Sequence, residues 1–228
     1  MKVCVFDAYG TLFDVNAPAR RYAKENPEAE FSKTWSIISS AWREKQLSYT
    51  WLLNSMGEYK DFWSITEHAL EYALELTNLS KVPELKYRLL NFYRELDSFP
   101  EVPKVLRELK EMGINTAILS NGTRKMIASA IAASGIEQHI DKILSVEDVA
   151  IYKPNSRVYN MVTDSFNLEK REVLLISSNG WDISGAAHFG FNTFWVNRNN
   201  LPVERLLKKP DDMGLDLFSV KTYIDQYF

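Results

Sequence analysis

Hydrophobic and polar positions along the chain follow two alternating periods. Short, nearly uninterrupted apolar runs recur at VCVF, NTAILS, KILSV, EVLLISS and TFWVN, each followed by a polar or glycine-containing turn. Between them, apolar residues return at helical spacing. PEVPKVLRELKEMG places Val105, Leu106, Leu109 and Met112 on one stripe and stops at Gly113, and TRKMIASAIAASG repeats the pattern and stops at Gly135. A strand covered on both faces reads as a continuous apolar run, and strands alternating with crossover helices form a mainly parallel sheet. The pattern therefore predicts an α/β fold.

From about Ala17 to about Ser98 the alternation stops, and the stretch reads as three or four amphipathic helices with no strand signal. SKTWSIISSAWREKQLSYTWLLNSM spaces Trp35, Ile38, Trp42, Leu47 and Trp51 as an apolar face, and SITEHALEYALELTNL and PELKYRLLNFYREL follow. Pro100 and Pro103 mark the return to strand and helix alternation. The predicted organisation is a core domain of residues 1–16 and 99–228, with residues 17–98 inserted as a helical domain after the first strand.

Composition narrows the possible partners. No apolar span of membrane length occurs, and 27 Lys+Arg against 30 Asp+Glu give a net charge of -3 with no basic run of the kind nucleic-acid binding needs. An anionic small molecule would have to be held by a few placed donors. Cys4, alone in the first apolar run, reads as a small buried residue, and His68, His139 and His188 are scattered without metal or triad spacing. No secretory signal is visible at the N-terminus, so the cytoplasm is the expected location.

Ligands of open parallel sheets bind beyond the carboxyl ends of the strands, so polar residues just after each apolar run are the candidates for chemistry. These are Asp7 after VCVF, Ser120 and Asn121 after NTAIL, Lys153 after KILSVEDVAIY, and Ser177, Ser178, Asn179 and Asp182 after EVLLI. Each alone is an ordinary turn or capping residue; together they form a reactive set. A strand-end carboxylate kept ionised by a lysine is a nucleophile, Ser120 and Asn121 offer donors to an anion, and Asp182 supplies a second acid to orient or deprotonate a water.

These motifs resemble the haloacid dehalogenase-like hydrolases over nearly the whole chain: Asp7 with Gly10, Thr11 and Leu12, LSNG (119–122), YKP (152–154), and SSNGWD (177–182) where an acidic fourth motif usually lies. Most members are magnesium-dependent phosphatases reading DxDGT, whose second Asp protonates the leaving oxygen. Here that position is Tyr9, and the metal-holding acidic pair is reduced to Asp182. FDAYGTLFDV, WREKQLSYTWL, LSNG, YKPNSRVY and SSNGWD together resemble one branch, the L-2-haloacid dehalogenases. Tyr9 has a physical reason in that branch. A leaving halide is too weak a base to need a proton, and an ionised acid beside it would repel it.

The resemblance implies a Rossmann-like core with a helical cap, no cofactor and no metal, and a small 2-halocarboxylate substrate. It also implies a homodimer. Asp7 would attack the halogen-bearing carbon, Lys153 would keep Asp7 anionic, and Asp182 would activate a water held by Asn179 and Ser177. Thr11 and Tyr159 would position Asp7 and its neighbours. Arg43 and Asn121 would cradle the halide, Ser120 and turn amides would hold the substrate carboxylate, and Tyr9, Leu47, Phe62 and Trp181 would form an apolar wall. Two neighbours stand open at this point: Glu44 beside Arg43, and Gly180, which makes the fourth loop permissive. The competing readings are a small-molecule phosphatase keeping Mg²⁺ through Asp7 and Asp182, and a noncatalytic binding module.

Overall fold

In the computed structural model, which describes residues 1–227, the apolar run VCVF forms β1 (Val3–Phe6), buried at every residue. The chain then passes through α1 (Ala17–Glu25), α2 (Glu30–Met56), α3 (Phe62–Leu76) and α4 (Leu85–Arg94) without forming another strand. Alternation resumes with α5 (Val102–Glu111), β2 (Asn115–Ser120), α6 (Arg124–Ser134), β3 (Lys142–Ser145), α7 (Ser156–Phe166), β4 (Val173–Ser177), α8 (Gly180–Phe189), β5 (Asn192–Val196), β6 (Asp212–Gly214) and α9 (Phe218–Tyr227).

The strands form a six-stranded parallel sheet in the order β3-β2-β1-β4-β5-β6. Because the chain builds outward from β1 to β3 on one side and then returns to β4 on the other, the strand order reverses at β1, the place where such sheets bind ligands. Phe6 is level with Ile118 of β2 and Ile176 of β4, and the Asp7 N–H still donates to the Ile176 carbonyl at 2.9 Å. The first residue beyond β1 is thus held by the neighbouring strand.

Two local expectations differ from the structure. β6 is a three-residue edge strand, DMG, that is partly or fully exposed and has no apolar run to announce it. Met112 falls off the predicted stripe: α5 ends at Glu111, and Met112 caps it with 40% of its surface exposed.

The helical insertion has its own interior. Ile38 and Trp42 of α2 are buried, but the turns that follow put Gln46 and Thr50 inside, while Trp35 and Leu47 are half-buried and Trp51 is exposed. The buried polar groups are paired, as an interior requires: Trp42 Nε1 donates to the Thr66 carbonyl at 2.8 Å, and Gln46 Nε2 donates to Thr66 Oγ1 at 2.9 Å and to the Tyr93 hydroxyl at 3.1 Å. α2 stops at Gly57, whose φ of 75° suits a residue without a side chain, and α3 starts at Asp61, which accepts from the Ser64 N–H at 3.0 Å.

Two connections join the insertion to the sheet, and they lie side by side. The Asp14 N–H donates to the Asp97 carbonyl at 2.9 Å and the Phe99 N–H to the Leu12 carbonyl at 3.0 Å. Farther out, Asn54 of α2 grips the backbone of Tyr152, donating to its carbonyl at 2.9 Å and accepting from its N–H at 3.0 Å.

Candidate active site

Asp7 is held on three sides. Its Oδ2 accepts from Thr11 Oγ1 at 2.9 Å and from Asn179 Nδ2 at 2.8 Å, while Oδ1 faces the Lys153 ammonium at 3.3 Å. The turn that brings Thr11 back to Asp7 needs Gly10. Its φ of 93° is disfavoured for other residues, and a Cβ there would lie 3.2 Å from Ser178 Oγ. The carbonyl of Ala8 then accepts from the N–H groups of Leu12 and Phe13 at 2.9 and 3.0 Å, closing the turn.

Beneath Asp7 lies a layer closed to solvent. Thr11, Lys153, Tyr159, Ser177 and Asp182 are each no more than 1% exposed. Lys153 Nζ lies 2.8 Å from Asp182 Oδ2, and the Tyr159 hydroxyl donates to Asp182 Oδ1 at 2.8 Å. That approach depends on Gly185 of α8, where a Cβ would come 2.6 Å from both the Tyr159 hydroxyl and Pro154 Cβ. Burial works against the Lys153 charge, but Asp182 and Asp7 outweigh it and push its pKa above the ordinary lysine value. Burial pushes the Asp182 carboxyl upward against the pull of Lys153, with repulsion from Asp7 adding to the rise. Burial and then the neighbouring Asp182 raise Tyr159 well above an ordinary phenol, so it remains a neutral donor.

Above this layer is a small cavity of about 10 Å³, near the limit for one water, lined by Asp7, Tyr9, Arg43, Leu47, Phe62, Ser120, Asn121, Asn179 and Trp181. Arg43, Leu47 and Phe62 come from α2 and α3, Trp181 from the first turn of α8, and the others from the loops and strand ends at the carboxyl edge of the sheet, so α2 and α3 close over Asp7. Arg43 Nη2 donates to the Tyr9 carbonyl at 3.0 Å. Asn121 Oδ1 accepts from the Lys153 N–H at 3.0 Å, Ser120 Oγ from the Gly122 N–H at 3.0 Å, and Ser177 Oγ from the Asn179 N–H at 3.1 Å. The Tyr9 ring stacks on Tyr93 with centroids 5.8 Å apart and packs against Gly122, where a Cβ would fall 2.6 Å from Tyr9 Cε2. Burial, followed by Tyr93 and Asp7, holds the Tyr9 phenol well above its usual pKa, so position 9 carries no charge.

The fourteen residues expected at the site thus fall into two shells: the nine that line the cavity, and the five buried beneath it. A cleft of about 550 Å³ adjoins the cavity and shares Arg43, Leu47 and Asn179 with it. Glu44 lines this outer cleft but not the small cavity, is exposed, and makes no ion pair among the described residues. Gly180 is less permissive than it reads, because a Cβ there would lie 2.8 Å from Glu204 Cγ.

A divalent metal does not fit this donor set. Among the described residues no group of three or more His, Cys, Asp or Glu is placed to hold one, and the ammonium of Lys153 already stands within reach of both Asp7 and Asp182. Two further residues tie into the site: Ser178, a strand-end candidate to which the resemblance attaches no role, and Arg198, which is not among those expected there. The Ser178 N–H donates to Thr11 Oγ1 at 2.8 Å, and Arg198 Nη2 donates to the Thr11 carbonyl at 2.9 Å. Ser178 stands in the polar cluster after EVLLI, whereas nothing local in TFWVNRNN sets Arg198 apart from a surface charge.

Residues 1–190 match the family model of haloacid dehalogenase-like hydrolases. An (S)-2-haloacid dehalogenase of Pseudomonas sp. (strain CBS-3) is 43% identical over 204 residues, covering 90% of this chain and 88% of that protein. A crystal structure described as a dehalogenase superimposes with a TM-score of 0.92 at 38% identity, covering 98% of this chain and 96% of the other. The L-2-haloacid dehalogenase of Xanthobacter autotrophicus with chloropropionic acid covalently bound superimposes with a TM-score of 0.87 at 30% identity over the full length of both chains. The chain therefore belongs to the haloacid dehalogenase-like hydrolases, on the branch of the (S)-2-haloacid dehalogenases.

Proposed function

We propose that this protein hydrolyses short (S)-2-haloalkanoic acids to the inverted 2-hydroxy acids and halide through an ester on Asp7. The observation that supports this most is the charge pattern around one cavity: a buried carboxylate at Asp7, cations at Lys153 and Arg43, and a neutral phenol where a proton donor would otherwise stand. An oxygen of Asp7 attacks C2 of the substrate, the carbon–halogen bond breaks, and its electron pair leaves with the halide. Arg43 and Asn121 face the departing anion, and Ser120 with the turn amides holds the substrate carboxylate. Residues 17–98 act as the cap that excludes water during this displacement.

Water then adds to Cγ of the Asp7 ester while Asp182, made more basic by burial, takes its proton. The bond between Cγ and the substrate oxygen breaks, that oxygen takes the proton Asp182 had removed from the water, the water's other proton passes to solvent as Asp7 regains its charge, and the 2-hydroxy acid leaves with an oxygen that belonged to Asp7. Lys153 keeps both carboxylates in reach of one cation throughout. No metal enters any step. The exposed apolar side chains of Ile37, Leu52, Met56 and Leu76 on α2 and α3 support a homodimer, which sedimentation equilibrium would contradict by returning the monomer mass.

The test is halide release from the separate enantiomers of 2-chloropropionate, with and without a chelator, beside phosphate release from p-nitrophenyl phosphate with Mg²⁺. Chelator-insensitive halide release from the S enantiomer is expected. Halide release abolished by chelator, or release of phosphate alone, would contradict the reading.

A further inference from the structure

Thr11 is anchored through both its side chain and its backbone. Its hydroxyl donates to Asp7 Oδ2 at 2.9 Å and accepts from the Ser178 N–H at 2.8 Å, and its carbonyl accepts from Arg198 Nη2 at 2.9 Å. The same guanidinium lies 3.7 Å over the centre of the Phe99 ring and places Nη1 2.6 Å from Glu101 Oε1, the two side chains being 15% and 9% exposed. Phe99 and Glu101 belong to the segment by which the chain returns from the helical insertion, and the Phe99 N–H donates to the Leu12 carbonyl at 3.0 Å. One guanidinium thus joins the end of β5, the return segment and the turn that carries the nucleophile.

This is a poor arrangement for stability alone. The Glu101 contact is an ion pair without hydrogen-bond alignment, and Glu101 Oε1 and Arg198 Nε have no hydrogen-bond partner among the described residues. Removing two charges from water offsets much of their attraction. What the arrangement supplies is geometry, because a guanidinium is a planar fork whose donors have fixed directions. Arg198 lines the outer cleft and not the small cavity, so it touches no reacting atom.

We propose that Arg198, oriented by Glu101 and Phe99, is a positioning residue for the nucleophile. By fixing the carbonyl of Thr11 it sets the rotation of the turn, which keeps the Thr11 hydroxyl on Asp7 Oδ2 and aims the other oxygen at the substrate carbon. In-line displacement is sensitive to such placement, since an error of about 1 Å costs on the order of 100-fold in rate. The inference rests on the reading of Asp7 as the nucleophile.

The test compares wild type with Arg198→Ala, Arg198→Lys and Glu101→Gln in halide release from (S)-2-chloropropionate, with thermal unfolding measured alongside. For folded Arg198→Ala, kcat is expected to fall about 30-fold or more with KM within about two-fold of wild type. Arg198→Lys should recover part of the loss. A kcat for Arg198→Ala within about three-fold of wild type, or a loss carried by KM alone, would overturn the proposal. If Arg198→Ala does not fold, Glu101→Gln decides in the same terms: kcat lowered at unchanged KM supports the proposal, and unchanged kcat overturns it. Wild-type protein that releases no halide would overturn the functional reading and this inference with it. Active wild type with unaffected variants would overturn this inference alone.

Discussion

The ammonium of Lys153 lies 2.8 Å from Asp182 Oδ2, and the two side chains are 1% and 0% exposed. Burying both ions costs desolvation, so the pair is weak evidence of stability; breaking it, however, strands a charge in the interior. Lys153 also faces Asp7 at 3.3 Å, so one cation answers two carboxylates.

Replacing Lys153 by Met should therefore act on fold and activity together. Loss of one buried partner is expected to cost about 3–5 kcal/mol of unfolding free energy. Halide release should fall below detection in whatever protein remains folded. Urea unfolding followed by a halide assay checks both; a stable, active Lys153→Met variant would remove the lysine from the mechanism.

Asp182→Asn separates the two chemical stages. Without a buried base, ester hydrolysis should slow by about 100-fold or more while ester formation slows less. The adduct on Asp7 should then accumulate and be visible in the intact mass of the protein after a brief reaction. Slower formation with no accumulated adduct would assign Asp182 to the first stage.

The raised pKa values of Lys153 and Tyr159 fix the sign of a pH effect on stability. Both groups hold their protons more tightly in the folded chain, so their contribution is complete below their ordinary values, near pH 10, and is lost as pH rises through the higher folded values. Unfolding free energy should decline above about pH 10, and Tyr159→Phe should make that decline shallower. An unchanged slope in Tyr159→Phe would mean that the phenol does not titrate differently on folding.

Leu47 of α2 is one of the apolar side chains lining the cavity. Leu47→Ala should raise kcat/KM for 2-chlorobutyrate relative to 2-chloropropionate by about 10-fold, the scale of one methylene in an apolar pocket. A ratio unchanged from wild type would place chain-length control elsewhere.

The strands readable in the sequence are those the sheet covers on both faces, because burial turns VCVF and VLLIS into continuous apolar runs. β6 escaped for the opposite reason: an exposed edge imposes no pattern on Asp212, Met213 and Gly214. In the insertion, the helical period of α2 was legible, but Gln46 and Thr50 occupy interior positions because Thr66 and Tyr93 supply them with partners that only tertiary packing brings close. Strand-end polar residues pointed to Asp7, Asn121, Lys153 and Asp182, while Arg43 was found through the resemblance carried by WREKQL. Glu101 and Arg198 lie far apart in sequence and look like ordinary charges, and only the fold closes them to 2.6 Å.

The claim that Asp7 forms the ester is tested most directly by a single turnover in ¹⁸O-labelled water, with enzyme in excess over (S)-2-chloropropionate. The peptide containing Asp7 and the released 2-hydroxy acid are then weighed by mass spectrometry. With Asp7 as the nucleophile, the label enters Asp7 and the product stays unlabelled. Label in the first-turnover product with Asp7 unlabelled would mean that water attacks the substrate carbon itself, and would contradict it.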